Sequence, residues 1–179
     1  MGTLFVDKLD PQSGTSLEIG SSGDTITVPS GCTITNSGTA TGFGISNLAP
    51  YFHVYLNSSQ TTADTALTKV LLDTEVFDSG NYFASNKWTP TAGTYFVYAQ
   101  ARFQINGATT NLGATIKKNG SDLFEAHNYG YYYTSINVFG TVSMNGTDYL
   151  ELFAVQNSTQ TQNISTGSDN TFMGGYKIA

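Results

Sequence analysis

From residue 51 onward apolar and polar side chains alternate in short segments, and turn-forming residues separate them. A side-chain period of two is the mark of a strand with one covered and one wet face. The pattern predicts strands over 51–56, 67–73, 82–88, 94–105, 111–118, 122–127, 131–144, 148–156 and 171–178, nine or ten in all. Residues 58–64 read as a loop and Pro90-Thr91-Ala92-Gly93 as a turn. Asn119-Gly120 and Asn145-Gly146 read as tight hairpins, since Asn-Gly accepts the left-handed backbone such turns require. The best helical candidate, 62–72, contains Asp64-Thr65 and runs into β-branched residues, so no helix is expected. An all-β antiparallel unit of this size, 47–179, is most simply a two-sheet sandwich or jelly roll.

Upstream the texture is different. Residues 13–44 are Gly, Ser and Thr punctuated by single aliphatics, with no aromatic before Phe43. Gly14-Thr15-Ser16-Leu17-Glu18-Ile19, Gly23-Asp24-Thr25-Ile26-Thr27-Val28, Gly31-Cys32-Thr33-Ile34-Thr35 and Gly38-Thr39-Ala40-Thr41 form a degenerate repeat. Its glycines step by nine, eight and seven residues, with short alternating segments between them. Such repeats suit a winding β structure whose rungs stack along an axis. One chain supplies only Leu17, Ile19, Ile26, Val28 and Ile34 to that axis, too little against an ordering cost of roughly 1–2 kcal/mol per residue. Three chains wound together would triple it. The expectation is an attachment peptide over 1–12, a stalk over 13–46 that orders in an oligomer, and a head over 47–179; the alternative is a flexible linker.

Several head strands carry more apolar surface than one buried face needs. In Tyr95-Phe96-Val97-Tyr98-Ala99-Gln100-Ala101-Arg102-Phe103 both registers hold apolar or aromatic residues, and Tyr131-Tyr132-Tyr133 and residues 149–155 show the same excess. A second apolar face predicts a subunit interface.

Composition narrows the function. Of the 179 residues only 11% are charged, while 39% are hydrophobic and 13% aromatic, with 11 Tyr and 11 Phe. The formal charge is −6, and no basic run exists to neutralise phosphates, which argues against nucleic acid as partner. The single Cys32 excludes an intrachain disulfide framework and a cysteine-rich zinc site. No apolar stretch approaches the ~20 residues that span a bilayer, so no membrane insertion is expected. Met1-Gly2-Thr3-Leu4-Phe5-Val6 has neither the basic head and apolar run of a signal peptide nor the Ser or Thr at position six that myristoylation favours.

From Tyr51 to Ala179 the chain resembles the globular heads of complement component one q and tumour necrosis factor. The signatures come in order: Phe52-His53-Val54-Tyr55-Leu56, Thr68-Lys69-Val70-Leu71-Leu72-Asp73 and Asp78-Ser79-Gly80-Asn81-Tyr82-Phe83. Most telling is Trp88-Thr89-Pro90-Thr91-Ala92-Gly93-Thr94-Tyr95-Phe96-Val97, then Lys117-Lys118-Asn119-Gly120, Val142-Ser143-Met144-Asn145-Gly146-Thr147-Asp148-Tyr149-Leu150 and Thr171-Phe172-Met173-Gly174-Gly175-Tyr176-Lys177-Ile178. Thr147 stands where that family usually has Gly before Asp, which puts the turn geometry in question. The resemblance implies a ten-stranded antiparallel jelly roll that assembles as a homotrimer. The complement protein's collagen repeat is absent, so its partners do not carry over. Residues 8–15, 22–31 and 36–44 resemble a stalk of marine tailed-phage fibre proteins, which implies a triple-β-helix-like stalk feeding the head.

Catalytic patterns are sparse. The only histidines are His53, in a strand, and His127, at a strand end, and no Gly-x-Ser-x-Gly elbow, His-Glu-x-x-His or P-loop occurs. Carboxylate pairs such as Asp122 and Glu125 would serve a glycosidase only at defined separations. Asp73, Glu75 and Asp78, near Asn81, could hold calcium, although their spacing matches no EF-hand loop and a solvated strand end is the plainer reading. No other metal or cofactor is expected. Tyr129, Tyr131, Tyr132 and Tyr133 crowd beside His127 and Asn128, a composition suited to sugar stacking and adaptable hydrogen bonding; equally, these tyrosines could line the trimer axis or the core. Residues 157–168 read as a long, exposed polar loop.

The sequence thus points to a non-enzymatic virion surface protein: a homotrimeric bacteriophage fibre or spike presenting its head to a host-surface glycan or protein. It would dock on another virion protein, of capsid or tail, through Leu4, Phe5 and Val6 added to a strand edge. The alternatives are a capsid decoration or cement protein of the same fold, a glycan depolymerase, and a bacterial adhesin.

Overall fold

The computed structural model describes residues 9, 11, 13–33, 35, 37 and 49–179, apart from the side chains of 107–109. Contacts divide the chain into two compact units, Met1–Phe43 and Gly44–Ala179. The second is all-β in its described residues: β1 (Tyr51–Tyr55), β2 (Gln60–Thr62), β3 (Thr68–Lys69), β4 (Thr74–Asp78), β5 (Phe83–Ala84), β6 (Lys87–Trp88), β7 (Ala92–Lys118), β8 (Ser121–Asn145), β9 (Leu150–Gln156), β10 (Gln162–Ile164) and β11 (Phe172–Lys177).

Two sheets share the two long strands. The first half of β7 pairs with β11 on one side and with the second half of β8 on the other; β1 then pairs with β11 and β4 with β1. The second half of β7, from Leu112, pairs with β9 and with the first half of β8, while β3 and β6 add to β9. Every one of these pairings is antiparallel, as a jelly roll requires. The sequence reading divides β7 and β8 into two strands each, 94–105 and 111–118, then 122–127 and 131–144. In the structure the strands keep their extended backbone and cross from one sheet to the other, with the ladder slipping between Ile105 and Thr110. Gly130 permits this corner, since a Cβ there would lie 2.5 Å from both Leu112 Cδ1 and Thr134 Oγ1.

Alternation along the strands fills the space between the sheets. Tyr95, Val97, Ala99, Ala101, Phe103 and Ile105 face inward from β7 beside Ile136, Val138, Val142 and Met144 of β8 in the same sheet, opposed by Leu112, Ala114 and Ile116 and by Leu150, Leu152 and Ala154, all buried. Trp88 stacks on Phe52 at 4.1 Å and meets Tyr95 edge-on at 5.1 Å. Buried aromatics of this size cost about 3–5 kcal/mol when truncated to Ala, so the Trp88–Tyr95 signature is a core signature. The Tyr95 hydroxyl donates to Thr91 O at 2.9 Å, which satisfies its one polar atom.

Three short strands escape the period-two reading. β4 lies where the sequence pattern ends a strand at Asp73. β2 and β10 pair with each other inside stretches read as polar loops. Residues 157–168 are therefore not simply an exposed loop: Gln162 and Ile164 are buried. Gln162 Oε1 accepts from Asn106 N at 3.0 Å and Gln156 Nε2 donates to Gln160 O at 2.7 Å, so amides plug this end of the sandwich. At the other end the turn carrying Thr147 is well formed. Asn145 Oδ1 accepts from Thr147 N and Asp148 N at 2.9 and 2.8 Å, and Gly146 takes φ +91°. Asp148 then clasps the neighbouring hairpin through Asn119 Nδ2 at 2.7 Å and Lys118 Nζ at 2.9 Å.

In the first unit, Cys32 N donates to Pro29 O at 3.1 Å and Asp24 N to Ser21 O at 3.0 Å, with Gly23 and Gly31 at φ +94° and +87°. Turns thus fall at these repeat joints. Leu17, Ile19, Ile26 and Val28 are all exposed, Ile26 by 64%, and no strand ladder joins the segments among the described residues. Ile34 lies outside the described residues, as do Leu4, Phe5 and Val6.

Candidate functional site

The register of the first sheet lines its outer side chains up in rows. Phe77, His53, Gly174, Tyr98 and Phe139 are successive cross-strand partners from β4 to β8. Tyr51, Tyr176, Phe96 and Thr141 form the row beside them, and Tyr55, Phe172, Gln100 and Asn137 the row on the other side. The rings touch across strands: Phe96 lies 5.7 Å from Tyr176 and 6.3 Å from Phe139, His53 5.1 Å from Phe172, and Tyr51 5.6 Å from Phe77. Gly174 leaves room for the Tyr98 ring, because a Cβ there would stand 2.5 Å from Tyr98 Cζ. Burial pushes the Tyr98 hydroxyl above its ordinary pKa, and Tyr176 adds to the effect. Phe139 is nonetheless 66% exposed in the single chain. This is the second apolar face that the doubled registers of 95–103 predict, and it runs across five strands.

His53 belongs to this face. Its Nδ1 lies 3.3 Å from the Tyr98 hydroxyl and its Nε2 3.4 Å from Ser168 O, a packed and hydrogen-bonded setting with no carboxylate partner among the described residues.

The same face changes character further along. Past the Gln100 row comes Arg102 opposite Ser135, then Asn163, Gln104 and Tyr133 as cross-strand partners on β10, β7 and β8. Gln104 lies eight residues beyond Phe96 on β7, about 27 Å at the usual rise per strand residue. The chain enters β1 at Tyr51 in the Phe96 row, so the Tyr133 row is at the opposite end of the jelly roll.

The six residues His127, Asn128, Tyr129, Tyr131, Tyr132 and Tyr133 all gather at that far end, where β8 crosses between sheets, but they do not converge on one pocket. His127 lies on the outer side of the second sheet, over Gly113, where a Cβ would be 2.5 Å from its Cε1. Its Nδ1 is 3.3 Å from Asn111 Oδ1 and its Nε2 2.5 Å from Glu125 Oε1. It lines a cleft of about 160 Å³ with Thr65, Asn111, Val155, Gln156 and Asn157. Asn128 Oδ1 turns back to accept from Tyr129 N at 2.8 Å. Tyr133 belongs to the first sheet's outer side, where Arg102 Cζ lies 4.9 Å from its ring centre. Between them Tyr129, Tyr131 and Tyr132 are exposed, Tyr129 by 70%, so none of the three is core. Tyr132 takes φ +56°, a backbone rarely adopted by a bulky residue, and its ring meets Tyr131 edge-on at 4.3 Å. The side-chain hydrogen bond between Tyr131 and Tyr132 favours the protonated Tyr131 hydroxyl and raises its pKa.

Of the three possible calcium ligands, Asp73 and Asp78 are otherwise engaged. Asp73 accepts from Asn57 N and Ser58 N at 2.7 and 2.9 Å, and Asp78 from Phe83 N at 2.7 Å. Burial pushes Asp73 up, but the Ser58 hydroxyl and these N–H donors outweigh it and leave the pKa lowered. Among the described residues no three His, Cys, Asp or Glu side chains gather as metal ligands do. Asp73 and Asp78 thus pin neighbouring loops.

No family model matches the sequence, and no curated protein matches it. Solved structures do. Murine APRIL is similar at 19% identity over 72% of this chain and 98% of that one, with a TM-score of 0.56. The fold is the tumour necrosis factor jelly roll. Eiger TNF from S. frugiperda is similar at 13% identity over 73% of this chain and 94% of that one, with a TM-score of 0.53. The globular domain of zebrafish complement 1qA matches at 15% identity over 73% of this chain and 98% of its own length, with a TM-score of 0.48. At these identities the likeness is one of fold.

Proposed function

We propose that this chain is a non-enzymatic, homotrimeric virion fibre or spike whose jelly-roll head recognises a host surface. The observation that carries the reading is the aromatic outer face of the first sheet. Five strands present Tyr51, His53, Phe77, Phe96, Tyr98, Phe139, Phe172 and Tyr176 outward in a chain with little charge. Water is a poor neighbour for so continuous a surface, and two further copies of the same chain would cover it. The resemblance to trimeric heads supports three as the number.

Position along the head supports the rest. The chain enters at one end of the jelly roll and the tyrosine-rich corner occupies the other, which is the order needed to hold a head by its N-terminal side and present its far end. The repeat unit, with exposed Leu17, Ile19, Ile26 and Val28, would gain a covered axis only when three chains wind together. Docking on the virion falls to Leu4, Phe5 and Val6. Three heads per fibre, on many fibres, would convert millimolar contacts into useful avidity wherever geometry lets them engage together.

The test is the solution mass of the whole chain by light scattering, followed by competition of the purified protein against particle adsorption to cells. A mass of three chains and blocked adsorption are the expected results. A monomer overturns the fibre. A trimer that leaves adsorption untouched while its loss weakens particles means the cement role instead. Shortening of host polysaccharide by the protein would end the non-enzymatic reading.

A further inference from the structure

We propose that the far end of the first sheet carries a binding cleft for a carboxylate-bearing sugar, with Arg102 as the carboxylate's partner. The inference deepens the attachment reading and rests on it.

The cleft, about 310 Å³, lies between Tyr133, Gln104, Asn163, Ser165, Thr166 and Asn170. That volume is at the lower end of ligand clefts, roughly 300–1,000 Å³, and suits one or two sugar rings better than a peptide segment. Its lining is amide and hydroxyl, with Ile164 and one aromatic plate, Tyr133, which is 55% exposed. Sugars present hydroxyls around a ring with an apolar C–H face, and polar side chains set beside a stacking ring match both features. The hydrogen-bonding capacity is largely unspent. The side chains of Gln104 and Asn163 have no partner among the described residues, whereas the Asn170 amide is already bonded to Arg102 and to Thr166 O.

Charge selects among sugars. Arg102 is the only arginine in a chain of net charge −6. Its guanidinium touches two walls of the cleft, donating to Asn170 Oδ1 and stacking over Tyr133. Neither neighbour neutralises it, and no carboxylate pairs with it among the described residues. The acid next to Asn170 in the chain, Asp169, lies beside Gly167, where a Cβ would be 3.0 Å from its Oδ1. A guanidinium held by an aromatic face and one amide keeps N–H donors for a fork-to-fork bond with a carboxylate. The aromatic rows that three chains would cover end before Arg102, so the cleft begins where the interface stops.

The experiment compares methyl β-D-glucuronide with methyl β-D-glucoside, which differ at C6 alone, by saturation-transfer NMR on the full chain. The glucuronide should bind at least tenfold more tightly. Arg102→Gln should remove that preference and leave glucoside binding unchanged. Tyr133→Ala and Asn163→Ala, which touch no core contact, should weaken both sugars. Melting curves and solution mass identical to wild type show that the variants fold. Equal binding of the two sugars, no binding of either at ~50 mM, or a preference that survives Arg102→Gln overturns the proposal. Cell adsorption separates the two readings. Adsorption that persists unchanged in Arg102→Gln sinks the cleft and leaves attachment standing, whereas glucuronide binding without adsorption to any cell supports the cleft and sinks attachment.

Discussion

Replacing Phe139 with Thr tests the aromatic face where it is most exposed. Thr keeps the β-branched preference of a strand and removes the ring, so a lone jelly roll should barely register the change. Phe139 is 66% exposed in the single chain. With about 200 Å² for a phenylalanine, covering that fraction removes about 130 Å² from water, or ~3 kcal/mol at ~25 cal/mol per Å². Three symmetric copies bring the total to ~10 kcal/mol, about seven powers of ten in the dissociation constant. Ordering of interface side chains and the methyl that Thr retains reduce this, and a loss of at least about three powers of ten remains. The assay is sedimentation velocity from micromolar to nanomolar chain, with Leu71→Thr as the control. Leu71 is also exposed but lies outside the aromatic rows, and its variant should keep the wild-type mass. Phe139→Thr should dissociate at concentrations where wild type remains trimeric. If it holds the wild-type mass through nanomolar chain, Phe139 is solvent-facing in the assembly and the interface lies elsewhere.

Lys118 holds the Asp148 carboxyl below its ordinary pKa, with help from the Asn119 amide and against burial. A depressed folded value means that this contribution is complete above the unfolded pKa of about 3.9 and is lost as the pH falls through the folded value. Asp148→Asn should therefore flatten the acid limb of stability against pH, and a wild-type acid limb in chemical denaturation would refute the clasp. Tyr132→Gly relieves about 1–2 kcal/mol of left-handed backbone cost and adds roughly 0.5–1 kcal/mol of unfolded-state freedom. Its melting point should hold or rise slightly; a fall equivalent to more than about 1 kcal/mol would mean that the exposed ring packs against something. Ile26→Ser with Val28→Ser should make residues 13–44 sensitive to limited proteolysis while the head keeps its mass, if these side chains share a stalk axis. Equal cleavage of variant and wild type would return that segment to the status of a linker.

What could be read in the sequence was whatever follows from alternation. The core of β7 was legible because Tyr95, Val97, Ala99, Ala101 and Phe103 sit on one register, and the outer face because Phe96 and Tyr98 sit on the other. Asn119-Gly120 declared its hairpin by backbone chemistry alone, whereas Asn145-Gly146 is a turn but not a hairpin: β8 ends against the start of β7, and β9 runs beside the other half of β7. β2 and β10 were illegible for the converse reason. Gln60-Thr61-Thr62 and Gln162-Asn163-Ile164 are short and polar, and they are strands because each has the other to pair with. Asp73 and Asp78 could not be told in sequence from ligands for an ion, because the loop N–H groups they accept from lie far from them along the chain or across a turn.

The candidate site divides along the same line. Adjacent letters suggested that His127 and Tyr133 act together, yet six residues of a strand that crosses between sheets reach opposite outer faces. The residues that do meet Tyr133 come from elsewhere: Arg102 and Gln104 from β7, Asn163 from β10, and Asn170 from the segment before β11. Only pairing brings them together, and pairing is a property of the folded sheet. Arg102 did carry one signal of its own. A single arginine, in a chain poor in charge, sits at an outward register beyond the last aromatic row. A guanidinium at the edge of an interface costs little if it is solvated, and it gains most if a carboxylate comes to it. The repeat segment, residues 13–44, offers no such internal check, because its exposed aliphatics would find cover only against neighbouring chains. The mass of the whole assembly therefore decides more about this protein than any contact within one copy.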